Sequence, residues 1–389
     1  MRVLFTCVVG HGHFNPMVPL ARAFEGAGHE VAFATDPGFV EHVRGVGFQA
    51  FPSGLDMPEA MRRFRDRMPE FRQTPPWEQM RHVMPGLFGG VRVEPMLADL
   101  ERVFDGWRPD LLIHDSAEMA GAIAAERRGI PHAEHAIGLL RPRELRQLAT
   151  DMLEPACVRL GVRNPGVGGI NGEPYLDFCP PGIQRAEIAE VERAQPLRPV
   201  GLDEAPGVPM PPWLDGLPAI PTVYVTLGTV FNEDARLFQA ILDGIQDEDL
   251  NIIVTIGPRG DPAVLGTRPD NVHIEPFIPQ SRLLPSCSVF INHGGSGALI
   301  GAANAGVPVL AIPQGADQFF NAEVIAERGI GLRLMPNEVR PENVRDATRA
   351  LLEDPAYGQT IRALRPGIDQ MPTPDEVVPL LERLTTPRP

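Results

Sequence analysis

The sequence predicts an α/β protein made of two parallel-sheet domains. Three observations carry that expectation. Short apolar runs (residues 2–9, 30–35, 110–116, 222–226, 272–277, 289–291 and 307–312) alternate with segments able to form helices, the pattern of strand–helix–strand units. A chain of 389 residues is long for one domain and natural for two. Eight prolines crowd residues 196–221 and separate two similar series of runs.

Composition narrows the function. Hydrophobic residues make up 43% of the chain, enough for two cores. A net charge of −15 argues against nucleic acid or an anionic membrane as partner. An anionic ligand must then be held by local N–H groups and histidines, against the overall field. All 35 basic residues are arginines, which removes Schiff-base and lysine general-base chemistry. Cys7, Cys157, Cys179 and Cys287 form no C-x-x-C pair, so free thiols in a reducing compartment are expected. Met1 runs directly into an apolar strand without a leader-like segment, and no apolar run reaches the ~20 residues of a membrane span. A cytoplasmic protein without a membrane span is the expectation.

In the first half, residues 2–9 read as a buried strand. Gly10, His11, Gly12, His13, Phe14, Asn15 and Pro16 follow, then an amphipathic helix over 17–26 with Pro16 suited to its first turn. Residues 30–35 and 48–51 are the next strands. The first loop lacks G-x-G-x-x-G, which disfavours a dinucleotide-dependent dehydrogenase. Residues 55–96 change character: six of the 13 methionines lie there, interleaved with Phe64, Phe71, Trp77 and Phe88. Two readings stay open for that stretch, packing of irregular helices or an adaptable wall for an apolar molecule. Residues 110–116 form a strand ending in His114, Asp115 and Ser116, with a helix over 117–128 and a further strand over 130–135. His11 and His13, or His132 and His135, lack an H-E-x-x-H helix or cysteine partners, so no metal site is expected. Residues 143–160 read as a helix, and the Gly/Pro-rich 161–181 as a loop.

In the second half, the strand 222–226 runs into Gly228 and Thr229. The strand 289–291 runs into Asn292-His293-Gly294-Gly295-Ser296-Gly297 and an Ala-rich helix over 298–305. Glycines let backbone approach a ligand, and free N–H groups at a helix start favour an anion. The next strand ends at Pro313-Gln314-Gly315-Ala316-Asp317-Gln318, at the sheet edge where open α/β sheets bind ligands. Residues 374–384 form an amphipathic tail.

This second half resembles the nucleotide-sugar signature of family 1 glycosyltransferases. The matching residues are Phe277-Ile278-Pro279-Gln280, His293-Gly294-Gly295, Gly306-Val307-Pro308, Asp317-Gln318, Asn321 and Glu327 to Gly331, over about sixty positions. The version with Pro313 to Gln318 looks most like bacterial natural-product transferases of the macrolide and polyketide type. The resemblance implies the GT-B fold, two Rossmann-like domains facing across a cleft. Residues 1–200 would bind the acceptor, 201–220 would be the linker, 221–370 would bind the nucleotide sugar, and 371–389 would cross back to the first domain.

The family's Gly-His-x-x-Pro loop is matched by Gly12, His13 and Pro16, which implies His13 as catalytic base. Asp115 would orient it, with Glu118 one helical turn away as the alternative. The donor would be a TDP- or UDP-sugar held by Gly228, Thr229, Phe277, Ile278, His293, Gly294, Gly295, Ser296, Gly297, Asp317, Gln318 and Asn321. Met57, Phe64, Trp77, Met84, Phe88 and His135 would line a pocket for a small, largely apolar acceptor. The implied reaction is inverting transfer without metal or cofactor, and a homodimer is compatible with the sequence. A non-catalytic helper of the same shape and a sugar-nucleotide epimerase are the alternatives. Two departures stand out. Ala298 replaces a hydroxyl residue common in bacterial members, and Gly301 replaces a ribose-binding Glu of plant members. The second points to TDP over UDP.

Overall fold

The computed structural model describes residues 1–201, 209–228, 235–257 and 260–386. The chain divides into two compact units. The first holds Met1–Cys179, Gln184–Val200 and the chain from Gln370 on, and the second holds Pro180–Ile183 and Gly201–Asp369.

The first unit is built on a seven-stranded parallel sheet in the order β3-β2-β1-β4-β5-β6-β7. Its strands are β1 (Arg2–Thr6), β2 (Glu30–Thr35), β3 (Gln49–Pro52), β4 (Leu111–Asp115), β5 (His132–His135), β6 (Tyr175–Asp177) and β7 (Ala194–Pro196). β1 lies between β2 and β4, with Val3 opposite both Val31 and Leu111. Covered on both faces, these strands are continuous apolar runs. Phe5 stacks on Phe33 at 5.0 Å, and Phe14 meets Phe33 edge-on at the same distance. Those rings fix the helix Val18–Gly26 and the turn before it against the sheet.

One strand falls where a loop is expected, and another lies just before the expected linker. β6 interrupts residues 161–181, and β7 ends at Pro196, the first of the crowded prolines. Pro196 is tolerable there because β7 is the edge strand. The Met-rich stretch contains the helix Met57–Arg67, a π-helical segment Val83–Val91 and the helix Val93–Trp107. The C-terminal helix Pro374–Thr385 belongs to this unit and packs on Val18–Gly26. There Glu382 meets His29 at 2.8 Å.

The second unit has a six-stranded parallel sheet, β10-β9-β8-β11-β12-β13. The strands are β8 (Thr222–Thr226), β9 (Asn251–Thr255), β10 (Val272–Glu275), β11 (Val289–Asn292), β12 (Val309–Ala311) and β13 (Gly331–Arg333). Val223, Val225, Ile252, Val254, Ile291 and Leu310 form one core with the helix Ala235–Ile245. That helix lies close to Pro341–Glu353, since a Cβ on Gly244 would stand 2.6 Å from the Pro341 carbonyl oxygen.

Both sheets are doubly wound. Their order reverses between β1 and β4 in the first and between β8 and β11 in the second, and the carboxyl ends at such switch points are where open sheets bind ligands. No described helix is long and apolar enough to cross a membrane.

Candidate active site

The switch point of the first unit brings His13 to Asp115. Beyond β1 the chain turns at Gly10, whose φ of 132° is in the region that favours glycine. The Gly10 carbonyl accepts from His13 N and Phe14 N, both at 3.1 Å, and starts the short helix His11–Phe14. The His13 side chain, 22% exposed, reaches Asp115 at the end of β4, with Nδ1 3.3 Å from Oδ1. Asp115 is fully buried and accepts from Val8 N (2.8 Å), Ala117 N (2.5 Å) and Glu118 N (3.1 Å). Burial pushes its pKa up, but the His13 charge and hydrogen bond and the backbone N–H groups win and hold it below the usual value. An ionised Asp115 can only accept, so His13 Nδ1 carries the proton and Nε2 is the free basic nitrogen.

Glu118 plays a different part. It accepts from Thr6 Oγ1 and from the N–H groups of Ala120 (2.9 Å) and Gly121 (3.1 Å). Burial raises its pKa to about 7. His13 therefore has Asp115 as its carboxylate partner.

Of the expected acceptor residues, Met57, Phe64 and Phe88 share one apolar cluster. Phe88 lies beside the dyad, its ring centroid 6.5 Å from that of His13. Phe64 is buried in a cluster with Phe71 and Leu87, and Met57 packs on that cluster. Met84 is fully buried. Trp77 is 52% exposed. His135 is fully buried, its Nδ1 2.6 Å from the Ala136 carbonyl, and burial lowers its pKa to about 4.

Among the described residues, Glu126, His132 and Glu173 are grouped closely enough to hold a metal. The Arg163 guanidinium already bonds both carboxylates there. Neither His13 nor His293 belongs to that group.

The switch point of the second unit gathers the glycine-rich turn. Asn292 Oδ1 accepts from Gly294 N at 2.7 Å, and Gly294 sits at φ 77°. Gly295 caps the ten-residue helix Ser296–Ala305 and offers no side chain to its N–H groups. Ser296, Gly297 and Ala298 thus present N–H groups at a positive helix end. His293 lies between two glycines. A Cβ on Gly228 would stand 2.5 Å from its Cε1, and one on Gly295 would overlap its Nε2. Burial lowers the His293 pKa to about 4 despite the Asp317 charge, and its buried Nδ1 has no hydrogen-bond partner. Thr229 lies outside the described residues.

The second loop wraps round the first. Ser296 Oγ donates to Asp317 Oδ2 at 2.6 Å. Asn321 Nδ2 donates to Gly294 O at 2.8 Å and braces the turn. Gln318 is buried, and its Oε1 accepts from Gln314 N (2.8 Å) and Gly315 N (3.1 Å), so its carbonyl shapes the loop. Ala316 has φ 53°, a left-handed conformation that costs a non-glycine residue roughly 1 kcal/mol and concentrates at functional loops. Phe277 exposes 43% of its surface, while the Ile278 side chain is buried.

The family described as Erythromycin biosynthesis protein CIII-like matches this chain at residues 22–228 with its N-terminal domain and 239–384 with its C-terminal domain. The chain belongs to this family of natural-product glycosyltransferases. It is 34% identical to L-demethylnoviosyl transferase of Streptomyces niveus over 96% of both chains. It is 30% identical to 10-deoxymethynolide desosaminyltransferase of Streptomyces venezuelae over 99% of this chain and 97% of that one. Among solved structures, glycosyltransferase VinC in complex with DTDP is 28% identical, with a TM-score of 0.76 over 99% of both chains. The spinosyn rhamnosyltransferase SpnG complexed with thymidine diphosphate is 25% identical, with a TM-score of 0.81 over 98% of this chain and 100% of that one. The fold of this CIII-like transferase is GT-B.

Two glutamines of the second unit, named in the motifs but given no role there, gain a place from the packing. The Gln280 amide occupies the space a side chain at Gly301 would need. Gln314 Nε2 is buried without a partner beside the Asp317 loop. Gln280 stood in the quoted motif, but only the packing ties it to Gly301.

Proposed function

We propose that this protein is an inverting transferase that needs neither metal nor cofactor. It moves a sugar from a nucleoside-diphosphate sugar to a hydroxyl of a small, largely apolar acceptor in the cytoplasm. The observation that carries the reading is the His13–Asp115 pair at the first switch point, where Asp115 is fully buried and the His13 side chain is partly exposed. His13 Nε2 takes the acceptor proton as its oxygen attacks the anomeric carbon. Asp115 stabilises the imidazolium that forms. Attack opposite the leaving diphosphate inverts the anomeric centre. The charge growing on that diphosphate is met by the N–H groups of Ser296 to Ala298 and by His293. Asp317 holds sugar hydroxyls, with Gln318 and Asn321 fixing its loop, and Phe277 and the Ile278 backbone face the base.

Thymidine diphosphate is the favoured carrier. VinC and SpnG are known with that nucleotide, and Gly301 supplies no carboxylate for a ribose 2′-hydroxyl. The related enzymes named for aklavinone and 10-deoxymethynolide support a polyketide-like acceptor.

A thermal-shift series with TDP, UDP and GDP tests the donor half. A ligand at 100 times its Kd stabilises by about 2.7 kcal/mol, a shift of several degrees. TDP is expected to raise the melting temperature most, with or without EDTA. No shift with any of the three would contradict the proposal.

A further inference from the structure

We propose that Asp36 and Arg92 form a positioning pair for His13, holding Phe88 beside the imidazole and biasing its protonation. Asp36 ends the loop-side of β2, and Arg92 follows the π-helical segment Val83–Val91. Both side chains are almost completely buried. Arg92 Nη2 bonds Asp36 Oδ1, Nη1 donates to the Leu55 carbonyl at 3.3 Å, and its backbone N–H closes the last π turn on Leu87 O at 3.1 Å. One residue thus ties the segment down through backbone and side chain.

The segment needs that tie. It contains Pro85, Gly86, Gly89 and Gly90, which disfavour a helix, and π geometry is rare and gathers at functional sites. Phe88 sits four residues before Arg92, and both line one small recess with Val8, Met96 and Glu118. The same Phe88 stands next to His13. A shift of Arg92 therefore moves the wall nearest the base.

The pair also acts through charge. Asp36 Oδ2 is buried without a hydrogen-bond partner, whereas Asp115 accepts three backbone N–H groups. Burial raises the Asp36 pKa, Arg92 opposes that shift, and Asp36 also feels both Asp115 and His13. The acids whose charge reaches His13 are Asp115 from β4 and Asp36 from the end of β2; Arg92 acts on Asp36, and the buried Cys7 lies under Asp36, Asp115 and Glu118. Asp36 is the least satisfied acid among them.

The assignment rests on His13 as base for its meaning in catalysis, but its test does not. The full-length protein with 13C-labelled histidine is titrated by NMR, with H13Q identifying the His13 signal. D36N keeps an oxygen for Arg92 and removes one charge, so the fold is expected to survive. The His13 midpoint is expected to fall by about half a unit or more, because Arg92 is left unneutralised. In D36N/R92Q the midpoint returns toward the parent value. Amide exchange over residues 83–92 rises by about tenfold or more in that double variant, since the tether is shortened. A D36N midpoint within about 0.2 units of the parent overturns the electrostatic role. Unchanged exchange over 83–92 in the double variant overturns the mechanical one, and that arm decides should D36N not fold. Failure of the base reading would show instead as H13Q retaining turnover while these shifts persist.

Discussion

Asp115 and Glu118 are near neighbours with opposite electrostatics. Asp115 faces a histidine and three N–H groups and is held ionised, whereas Glu118 is buried against Thr6 and its pKa rises to about 7. The sign of the second shift gives a stability test. Glu118 is protonated in folded and unfolded chains below its ordinary pKa, so it costs nothing there. Between about 4.5 and about 7 the unfolded chain ionises first, and stability is lost up to roughly 3 kcal/mol above that window. Glu118→Gln can keep its carbonyl toward Ala120 and Gly121 and turn its amide to Thr6. The parent is expected to lose more melting temperature than E118Q between pH 5 and pH 8. Parallel curves would place the Glu118 pKa near its ordinary value. At this scale the sequence named His13 and Asp115 but left Glu118 as an alternative partner. Only the folded geometry separates the two acids, with His13 on Asp115 and Thr6 on Glu118.

Among the elements, strand ends and the turns after them carry the candidate site residues. Residues 30–35, 143–160 and 222–226 were legible to the residue because long apolar or amphipathic periodicity marks them. β6 and β7 were not, since three-residue strands carry no period of their own and exist through pairing with β5 and each other. The π segment hid behind Pro85 and three glycines, which read as irregular chain. Around residues 292–318 the turn and helix start were legible, whereas the loop-bracing role of the Gln318 carbonyl was not, because it depends on burial. Gly295 offers a test of the turn. Its φ of −64° suits alanine, so Gly295→Ala brings no backbone strain, only a Cβ overlapping His293 Nε2. G295A is expected to melt within a few degrees of the parent and to bind TDP about tenfold or more weakly, the scale of one charge-assisted hydrogen bond. Calorimetry showing equal affinity would remove the His293 ring from the nucleotide site.

In the whole molecule, the proposed base and the proposed nucleotide site each lie at the switch point of their own unit. The first unit is not contiguous, for its last helix comes from the far end of the chain. Pro374–Thr385 buries Val377, Val378 and Leu381, and Thr385 Oγ1 bonds the Met1 sulfur. Truncation after residue 370 removes those three side chains, whose burial is worth about 1.5–3 kcal/mol each, and uncovers the face of Val18–Gly26 that they pack on. Differential scanning calorimetry is expected to show a clear loss of stability, and a melting profile equal to that of the full chain would mean that the helix contributes nothing. The two-site account is tested most directly by measuring turnover and TDP affinity side by side in His13→Ala and His293→Ala. The account predicts that H13A loses roughly 10²–10⁴-fold in turnover with TDP affinity unchanged, while H293A loses TDP affinity by roughly 1.5–3 kcal/mol. Equal losses of TDP affinity in both variants, or full turnover in H13A, would contradict it.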